Sequence, residues 1–530
     1  MKNLPLQVKL ILAFLAVGIL PLLVISVILI YNASDALSDA AENQLISIRE
    51  IKKSQIDRYF TERQGDMNVL LETVATLQED AFEKLEAVQD LKVNDVTQFT
   101  EEYNRFGDIP ESVLSDIRSI IENREGLGES GETYIALERG NRVYFQSNMS
   151  TMGNGKFVVG YDLTDIVPEY LERTLDGSSL QEIFTDSNGN LVMVDTDPIE
   201  VGNQTLAVVT KMNLEEAVAP RLEGAKEDYF ARYINEYGYY DLFLVHPEGH
   251  VFYTVTHEAD YNTNMVNGKY ASSNLGELVR EVKKTEEFGF ADFEPYAPSN
   301  GAPAAFIAKP FNKNGKTELI VALQLPLEGI NRIMQQREGM GETGESYLVG
   351  MDKLMRSDSY LDPENHSVTA SFANPEKGSV QTDAVRGALN GETANKIIKD
   401  YNGNWVLSAY TPVKVWDTTW ALLAEIDKAE AFASVKTMRS LAILVGVLGI
   451  VGIGVIAWYM GRSIANPIRV VIDALKIGSD EVSSASSQVS NSSQELAEGA
   501  SEQAASVEET SSSLEEMASM TRQNAKGAKE

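Results

Sequence analysis

Two long runs of uncharged, mostly apolar residues lie near the two ends of the chain. They read LILAFLAVGILPLLVISVILI at 10–30 and LAILVGVLGIVGIGVIAWYM at 441–460. At about 1.5 Å per residue, a helix of either length crosses a bilayer core of about 30 Å. We therefore predict two transmembrane helices. The first run exceeds the apolar core of a signal peptide, so we expect it to be retained as an anchor.

Basic residues near these segments predict their orientation. Lys2 and Lys9 precede the first segment, whereas Arg462, Arg469 and Lys476 follow the second. Lys and Arg are enriched on the cytoplasmic side of membrane spans. We expect a multi-pass protein of the cytoplasmic (inner) membrane, with both termini inside and the chain between the spans outside.

Between the two spans the hydrophobic pattern changes once. From 31 to 123, apolar residues recur at helical spacing, as at Ile56, Phe60, Met67 and Leu71, which predicts a helical stalk. After the stalk, short runs rich in Val, Ile, Tyr and Phe are separated by Gly and Asn, which is typical of β-strands. The fold class of this region is therefore expected to be α+β.

Four tight-turn signals divide the apolar runs into hairpins. They are DSNGN at 186–190, HPEGH at 246–250, NKNGK at 312–316 and DYNGN at 400–404. Glycine accepts the positive φ that such turns require. The strands on both sides of these turns predict three modules with antiparallel sheets, at about 124–222, 223–336 and 337–432.

One segment of the sequence occurs twice. REGLGESGETYIAL at 124–137 returns as REGMGETGESYLVG at 337–350. Repetition at a long interval indicates that one supersecondary unit has been copied and used again. We place the two copies at the starts of the first and third modules.

Composition and charge exclude several function classes. The formal net charge of −33 leaves no basic stripe for phosphates, so no nucleic-acid partner is expected. The chain has no cysteine, which removes disulfides and thiol chemistry, and its four histidines lack a metal-ligand pattern. The segment 186–197 departs from a calcium loop at Leu191 and Asp197. We expect no metal, no cofactor and no enzymatic activity.

Several motifs of the second and third modules resemble the double Cache sensor of bacterial chemoreceptors. They are a stretch at 237–279 that begins YGYYDLFLV, FADFEPYAPSNG at 290–301, GMGETGESYLVG at 339–350 and LMRSDS at 354–359. The resemblance covers about 225–432 and implies tandem PAS-like modules on one long helix. In that family small ligands such as amino acids, amines or carboxylates sit between a sheet and its covering helices. The first module departs from the pattern as an inserted Cache-like copy.

The resemblance implies a charged ligand, which needs opposite charges and fixed donors once it loses water. In the second module, an ammonium group and its carbon skeleton would be held by Tyr253, Thr254, Asp260, Asp292 and Tyr296. In the third module, the analogous set is Tyr347, Arg356 and Asp358. Tyrosines in strands can equally be core residues, and the ligand class stays open.

After the second span the sequence carries a soft heptad pattern. Ala500, Val507 and Leu514 fall at position a, and Leu496, Gln503, Thr510 and Met517 fall at position d. We expect a weak coiled coil in a homodimer. Glutamate pairs recur one heptad apart between small residues, which resembles the methylation helix of chemoreceptors. The resemblance implies methylation at Glu509 and Glu516, and at Gln503 after deamidation.

The segment RSIANPI at 462–468 resembles the opening of a HAMP relay domain, but the usual connector and second helix do not follow. The receptor tip that holds a histidine kinase and its adaptor is not found, so we expect a fragment that does not itself control a kinase. The predicted domains are a cytoplasmic N-terminus (1–9), spans (10–30 and 441–460), a stalk (31–123), three modules (124–222, 223–336 and 337–432), a HAMP-like segment (461–480) and a signalling helix (481–530).

Together these features favour a transmembrane chemoreceptor that binds a small ligand outside and relays it to a methylatable coiled coil. Its partners would include a methyltransferase and a methylesterase. The rival interpretation is a Cache-type sensor coupled to a kinase or cyclase, or an anchored extracytoplasmic binding protein. Those proteins should lack paired glutamates at seven-residue spacing.

Overall fold

The computed structural model describes residues 4–101, 109–151, 158–186, 189–201, 204–221, 224–313 and 315–528. It contains two compact units. We call Asp39–Phe432 the α+β body. The other unit, Met1–Ser38 with Ala433–Glu530, is called the two-helix unit.

Helix α1 (Leu6–Thr100) supplies the long helix that the apolar spacing predicts. Within the body its buried side chains recur three, four or seven residues apart, at Ile56, Phe60, Met67, Leu70 and Val74. This spacing places them on one face of the helix. The buried face of α1 therefore forms one wall of the main core, together with residues of all three sheets.

The first sheet follows helix α2 (Glu111–Ile121). Its elements are β1 (Glu132–Arg139), β2 (Arg142–Phe145), α3 (Glu169–Leu175), β3 (Leu180–Thr185), β4 (Leu191–Val201), β5 (Gln204–Asn213) and α4 (Leu214–Val218). The strands are antiparallel, in the order β2-β1-β5-β4-β3.

The second sheet has the same kind of strand order. Its elements are α5 (Tyr229–Tyr237), β6 (Asp241–Val245), β7 (Val251–Thr254), α6 (Asn274–Thr285), β8 (Gly289–Tyr296), β9 (Ala302–Lys313), β10 (Lys316–Gln324) and α7 (Leu327–Met334). The antiparallel order is β7-β6-β10-β9-β8. In both sheets the first and last strands in sequence pair directly with each other.

The third sheet has four antiparallel strands. Its elements are β11 (Glu345–Val349), α8 (Pro363–His366), α9 (Val368–Ala373), α10 (Pro375–Gly378), α11 (Asp383–Leu389), β12 (Ala394–Lys399), β13 (Trp405–Val415), β14 (Thr418–Asp427) and α12 (Lys428–Ala431). The order is β11-β14-β13-β12. All three sheets fall inside the three ranges proposed from the sequence.

The predicted hairpins are confirmed by the strand pairing. Antiparallel pairs β3–β4, β6–β7, β9–β10 and β12–β13 flank the four turns. The turn glycines Gly189, Gly249, Gly315 and Gly403 have φ between 76° and 94°. A side chain at such a φ is strained, which explains why glycine occupies each turn.

Each sheet is buried on both faces. In β10, Ile320 and Ala322 pack with α6, while Leu319 and Val321 join the core beside α1. Successive side chains of a strand point to opposite faces, so a strand buried on both sides reads as a continuous apolar run. This is why the strands showed little alternation in the sequence.

Helix α1 meets the three sheets in the reverse of their order in the sequence. Near the start of the body, Gln44 Nε2 donates to a carbonyl before β11 at 2.6 Å. Farther along, Arg63 Nη1 donates to the carbonyl at the end of α5 at 3.1 Å. Lys92 Nζ then donates to a threonine hydroxyl of β1 at 2.9 Å. The first module therefore contacts the C-terminal part of α1.

The repeated sequence motif is a loop that opens a sheet. In the first copy, Arg124 Nε donates to the carbonyl of Gly131 at 2.9 Å. The carboxylate of Glu216, in α4 after the last strand, accepts the backbone N–H groups of Glu129 and Ser130, each at 2.7 Å. The loop before the first strand is thus held by the helix after the last strand.

The second copy repeats this arrangement contact for contact. Arg337 Nε donates to the carbonyl of Gly344 at 2.8 Å. Glu430, in α12, accepts the N–H groups of Glu342 and Thr343 at 2.7 and 2.8 Å. The repetition in the sequence therefore reflects a shared way of closing the first and third sheets.

In the two-helix unit, α1 packs against α13 (Ala433–Gly527). Among the described residues, these two helices contain segments long and apolar enough to span a membrane. Cβ atoms added at Gly18 and Gly461 would lie 2.9 Å from Ile453 and 2.7 Å from Ile11. Glycine therefore permits the close approach of the two helices, as in membrane helix packing.

Candidate functional site

A buried carboxylate lies in the core between the second sheet and α6. Asp260, in the loop after β7, and Tyr296, at the end of β8, are both fully buried. The Tyr296 hydroxyl donates to Asp260 Oδ2 at 2.7 Å. Two predicted ligand residues are thus in direct contact, although 36 residues separate them in sequence.

The second carboxylate oxygen of Asp260 is the unusual atom of this site. Oδ1 is buried and accepts no hydrogen bond of ordinary geometry from the described residues. Burial raises the pKa of Asp260, although Tyr296 and nearby backbone N–H groups oppose the shift. Buried polar atoms are nearly always hydrogen-bonded, so Oδ1 is available for a donor that enters this core.

Asp241 supports the site from β6, and sequence analysis did not single it out. Its carboxylate accepts the N–H groups of Leu242, Val255 and Thr256 at 2.7 to 3.1 Å, and the Thr256 hydroxyl at 2.5 Å. Burial raises its pKa to about 6, against these hydrogen bonds, with Asp260 adding to the rise. The acidic residue at the start of the YYDLFLV strand was the available signal.

Tyr253 and Thr254 form hydrogen bonds with residues other than Asp260. The Tyr253 hydroxyl donates to Asp228 Oδ2 at 2.9 Å, and its ring belongs to the core beside α1. The Thr254 hydroxyl accepts the His257 N–H at 2.9 Å. Tyr253 and Tyr296 therefore lie in different cores, so the structure divides the predicted set of the second module.

Asp292 and Arg356 were expected in two separate ligand sites, but they bind each other. Arg356 Nε and Nη2 donate to Asp292 Oδ1 and Oδ2 at 2.8 and 3.0 Å. Trp420 Nε1 of β14 also donates to Oδ2, at 3.1 Å. A buried guanidinium needs a carboxylate. Here the neighbouring module supplies Asp292, and Asp352 of the third module also accepts from Nη2 at 3.0 Å. The pair joins the second and third sheets.

The other two predicted residues of the third module also have protein partners. The Tyr347 hydroxyl donates to Glu425 Oε2 at 2.8 Å. Asp358 accepts the Asn331 amide at 2.8 Å and the Val368 N–H at 2.7 Å. None of these three contacts involves Arg356. Tyr347, Arg356 and Asp358 therefore do not form one cluster through direct hydrogen bonds.

Glu425 is a second buried carboxylate that the sequence reasoning missed. Burial raises its pKa to about 7, against the hydrogen bond from Tyr347, and Glu345 raises it further. Glu345 is itself buried and accepts the Ser359 hydroxyl at 2.8 Å. The third sheet therefore buries two acidic residues side by side, since they are register partners in β11 and β14.

A cleft of about 830 Å³ lies beside α1 where the first and second modules meet. Its lining includes Asp80 of α1, Lys211 and Glu215 of the first module, and Tyr253 and His257 of the second. Of the predicted ligand residues, only Tyr253 lines it. The cleft crosses a module boundary, so it could not be predicted by treating each module separately.

The predicted methylation residues all lie on α13. Gln503, Glu509 and Glu516 are exposed on a continuous helix. The apolar heptad residues Val507 and Leu514 are also exposed, at 66% and 57%. No described residue of the chain therefore covers this apolar seam.

No protein-family model and no curated protein sequence matches the chain. The solved structures similar to it include the ligand-binding domain of the Pseudomonas fluorescens chemoreceptor CtaA with L-isoleucine (14% identity, TM-score 0.27, 38% of this chain and 73% of that one). Two others are from Pseudomonas aeruginosa PAO1: the amino acid chemoreceptor PctB with L-Arg (16%, 0.27, 37% and 75%) and PctC with GABA (15%, 0.26, 36% and 74%). At these identities and TM-scores the likeness carries no functional argument.

Proposed function

We propose that the chain is a transmembrane chemoreceptor that binds a small molecule in its α+β body and relays the event to a methylatable cytoplasmic helix. One observation carries the proposal. The helix that contains the second apolar segment continues without interruption to glutamate pairs one heptad apart. A sensor body between two apolar segments and a modifiable helix beyond them are the parts that such a receptor needs.

The buried carboxylate of Asp260 is the proposed ligand group of the second module. An ammonium donor on the ligand would satisfy Oδ1, and Tyr296 would hold the other oxygen in place. Charge-assisted hydrogen bonds of this kind are about twice as strong as neutral ones. This favours an amino acid or amine over a ligand without a cationic group.

The ion pair of Asp292 and Arg356 is the proposed link to the third module. A ligand carboxylate that competed with Asp292 for Arg356 would loosen the joint between the second and third sheets. Tyr347 and Asp358 remain proposed ligand residues, because they lie in the same module as Arg356. Loosening this joint would bias the body between two arrangements, and shifts of packed helices by about 1–2 Å are common in such switches.

The homodimer is proposed because the apolar seam on α13 has no partner in one chain. Glutamates brought close together on packed helices repel each other. Esterification by a methyltransferase at Glu509 and Glu516, or at deamidated Gln503, would remove that repulsion, and a methylesterase would restore it. A histidine kinase and its adaptor are further proposed partners, reached through a signalling tip.

Ligand binding is tested with the full chain in lipid nanodiscs by a thermal-shift screen of amino acids, amines and organic acids. An amine-bearing compound should raise the unfolding temperature, and Asp260→Asn or Tyr296→Phe should abolish the rise. Tyr134→Phe is the matched control, since it removes a hydroxyl from an equally buried tyrosine of the first sheet. A rise that persists in both site variants would contradict the ligand site.

Methylation is tested by mass spectrometry of the chain produced in a chemotactic host. Methyl esters are expected at Glu509 and Glu516 and should disappear in Glu509→Ala and Glu516→Ala. Glu376→Ala, an exposed glutamate of the body, is the control. If neither site carries an ester, the rival readings are favoured: a sensor with another output, or an anchored binding protein.

A further inference from the structure

We propose that the cleft between the first and second modules is a second ligand site, and that it takes a small organic cation such as a diamine. The site is distinct from the Asp260 core and does not depend on the proposed signalling function. Its volume of about 830 Å³ falls within the range of small-molecule pockets, about 300–1,000 Å³. Three separate parts of the body form its walls.

The charges of the lining favour a cation. Carboxylates are contributed by Asp80, Glu129, Asp186, Glu215, Glu216 and Asp228, and cations by Lys84, Lys211 and Arg221. Six carboxylates and three cations leave a formal charge of −3 with His257 neutral. A cleft with a net negative charge attracts cations.

Several of these charged groups already bind other groups of the protein, so fewer of them could bind a ligand. Lys211 is 4% exposed and lies 3.3 Å from Asp186. Glu216 accepts the backbone of the repeated loop, and Asp228 accepts the Ala231 N–H at the start of α5. Asp80 and Glu129 are exposed, and Glu215 is partly exposed, with its Oε2 bound to the Tyr261 hydroxyl and its Oε1 facing His257.

Glu215 is the residue around which the site is organised. Its Oε2 accepts the Tyr261 hydroxyl of the second module at 2.6 Å, while its Oε1 lies 3.7 Å from His257 Nε2. The longer distance exceeds a hydrogen bond. The rings of His257 and Tyr261 lie 4.4 Å apart beside this carboxylate. A carboxylate next to aromatic faces suits an organic cation, which gains from both charge and π contact.

A ligand in the cleft would contact three parts of the body at once. One ammonium group would lie near Glu215 and His257, and the other near Asp80 on α1. A ligand held in this way would couple the first module, the second module and α1. The inserted first module would then be a sensing element in its own right.

The test is isothermal titration of the full chain, in nanodiscs of uncharged phosphatidylcholine, with putrescine and with glutamate as the anionic probe. Putrescine should bind and glutamate should not. Asp80→Asn and Glu215→Gln should each weaken putrescine binding roughly two- to fivefold, the usual size for partly exposed ion pairs. Glu376→Gln, which removes one exposed charge in the third module, should leave the affinity unchanged.

The outcomes separate this site from the Asp260 core. If Asp260→Asn abolishes putrescine binding while Asp80→Asn and Glu215→Gln leave it unchanged, the cleft proposal is overturned and the Asp260 site gains support. Absence of putrescine binding at millimolar concentration, or tighter binding of glutamate, also overturns it. Unaltered thermal unfolding of Asp80→Asn, an exposed helix position, verifies that its effect is local.

Discussion

The first and third modules open and close their sheets in the same way, yet the first buries an ion pair where the third buries two carboxyl groups. Glu132 in β1 faces Lys211 in β5, whereas Glu345 in β11 faces Glu425 in β14. The loops held by Arg124 and Arg337 are otherwise alike. One frame thus holds a buried ion pair in the first module and two buried acids in the third.

This difference shows two solutions to the same physical problem. A buried carboxylate must have a counter-charge, hydrogen bonds or a proton. In the first module Lys211 lies 3.3 Å from Asp186 and 3.9 Å from Glu132. In the third module Glu425 has a pKa of about 7, raised chiefly by burial. The first interior is held by an ion pair, and the third depends on proton occupancy near neutral pH.

The largest effect is expected from Lys211→Met. Removal of the ammonium leaves Asp186 and Glu132 buried without their cation, and breaking a buried pair costs about 3–5 kcal/mol. Hydrogen exchange of the amides in the first sheet measures the local free energy of unfolding. Lys396→Met is the control, since its pair with Glu392 is solvent-exposed and screened by water. Equal losses in the two variants would contradict the comparison.

Gly131→Ala and Gly344→Ala test the shared frame. A Cβ at either position would collide with the carbonyl oxygen of Leu127 or Met340, backbone atoms that cannot move aside cheaply. We expect each variant to lose about 2–3 kcal/mol in its own sheet. Gly65→Ala is the matched control, because its Cβ meets nothing and α1 should gain about 0.5–1 kcal/mol. A loss in only one of the two copies would show that the frames are not equivalent.

Glu216→Ala and Glu430→Ala also compare the first and third modules, and their expected effect is smaller. Each change leaves two backbone N–H groups of the repeated loop without their acceptor. We expect a loss of about 1–2 kcal/mol in each sheet, because the loops are partly exposed and water replaces some of the bonds. Hydrogen exchange should increase at 129–130 in one variant and at 342–343 in the other. Unchanged exchange would exclude the closing role of these carboxylates.

The smallest effect is a pH dependence confined to the third sheet. Between the ordinary pKa of 4.5 and the raised value of about 7, folded Glu425 keeps a proton that the unfolded chain releases. The free energy of unfolding therefore falls as pH rises from about 4.5 to about 7, by about 1 kcal/mol per pH unit. Glu425→Gln keeps the shape and should remove this part of the slope. An identical slope in the variant would contradict it.

Much of the fold could be predicted from the sequence, because its signals are local. Apolar length predicts the two candidate spans, and Gly in a turn such as DYNGN predicts a hairpin whatever surrounds it. The sequence also shows that Lys211 and Glu425 occupy equivalent positions, because LAVVTKMN and WALLAEID align at the ends of the two modules. The same alignment pairs Glu216 with Glu430.

The candidate sites were less predictable, because their contacts join distant parts of the chain. The Asp292–Arg356 pair spans 64 residues and crosses two sheets. No local pattern distinguishes such a pair from two ligand-binding residues, which is why both were assigned to ligands. The cleft beside α1 likewise depends on how two modules meet. Tyr296 and Asp260 were identified together only because both lie in motifs of the resemblance.

The central claim is that the α+β body and the glutamate-bearing helix lie on opposite sides of the membrane. The chain has no cysteine, so Glu376→Cys and Ser501→Cys each create a single reactive thiol. In intact spheroplasts, a membrane-impermeant maleimide should label the Glu376→Cys variant, and should label the Ser501→Cys variant only after lysis. Labelling of both before lysis, or of neither, would place the two regions on one side and contradict the account.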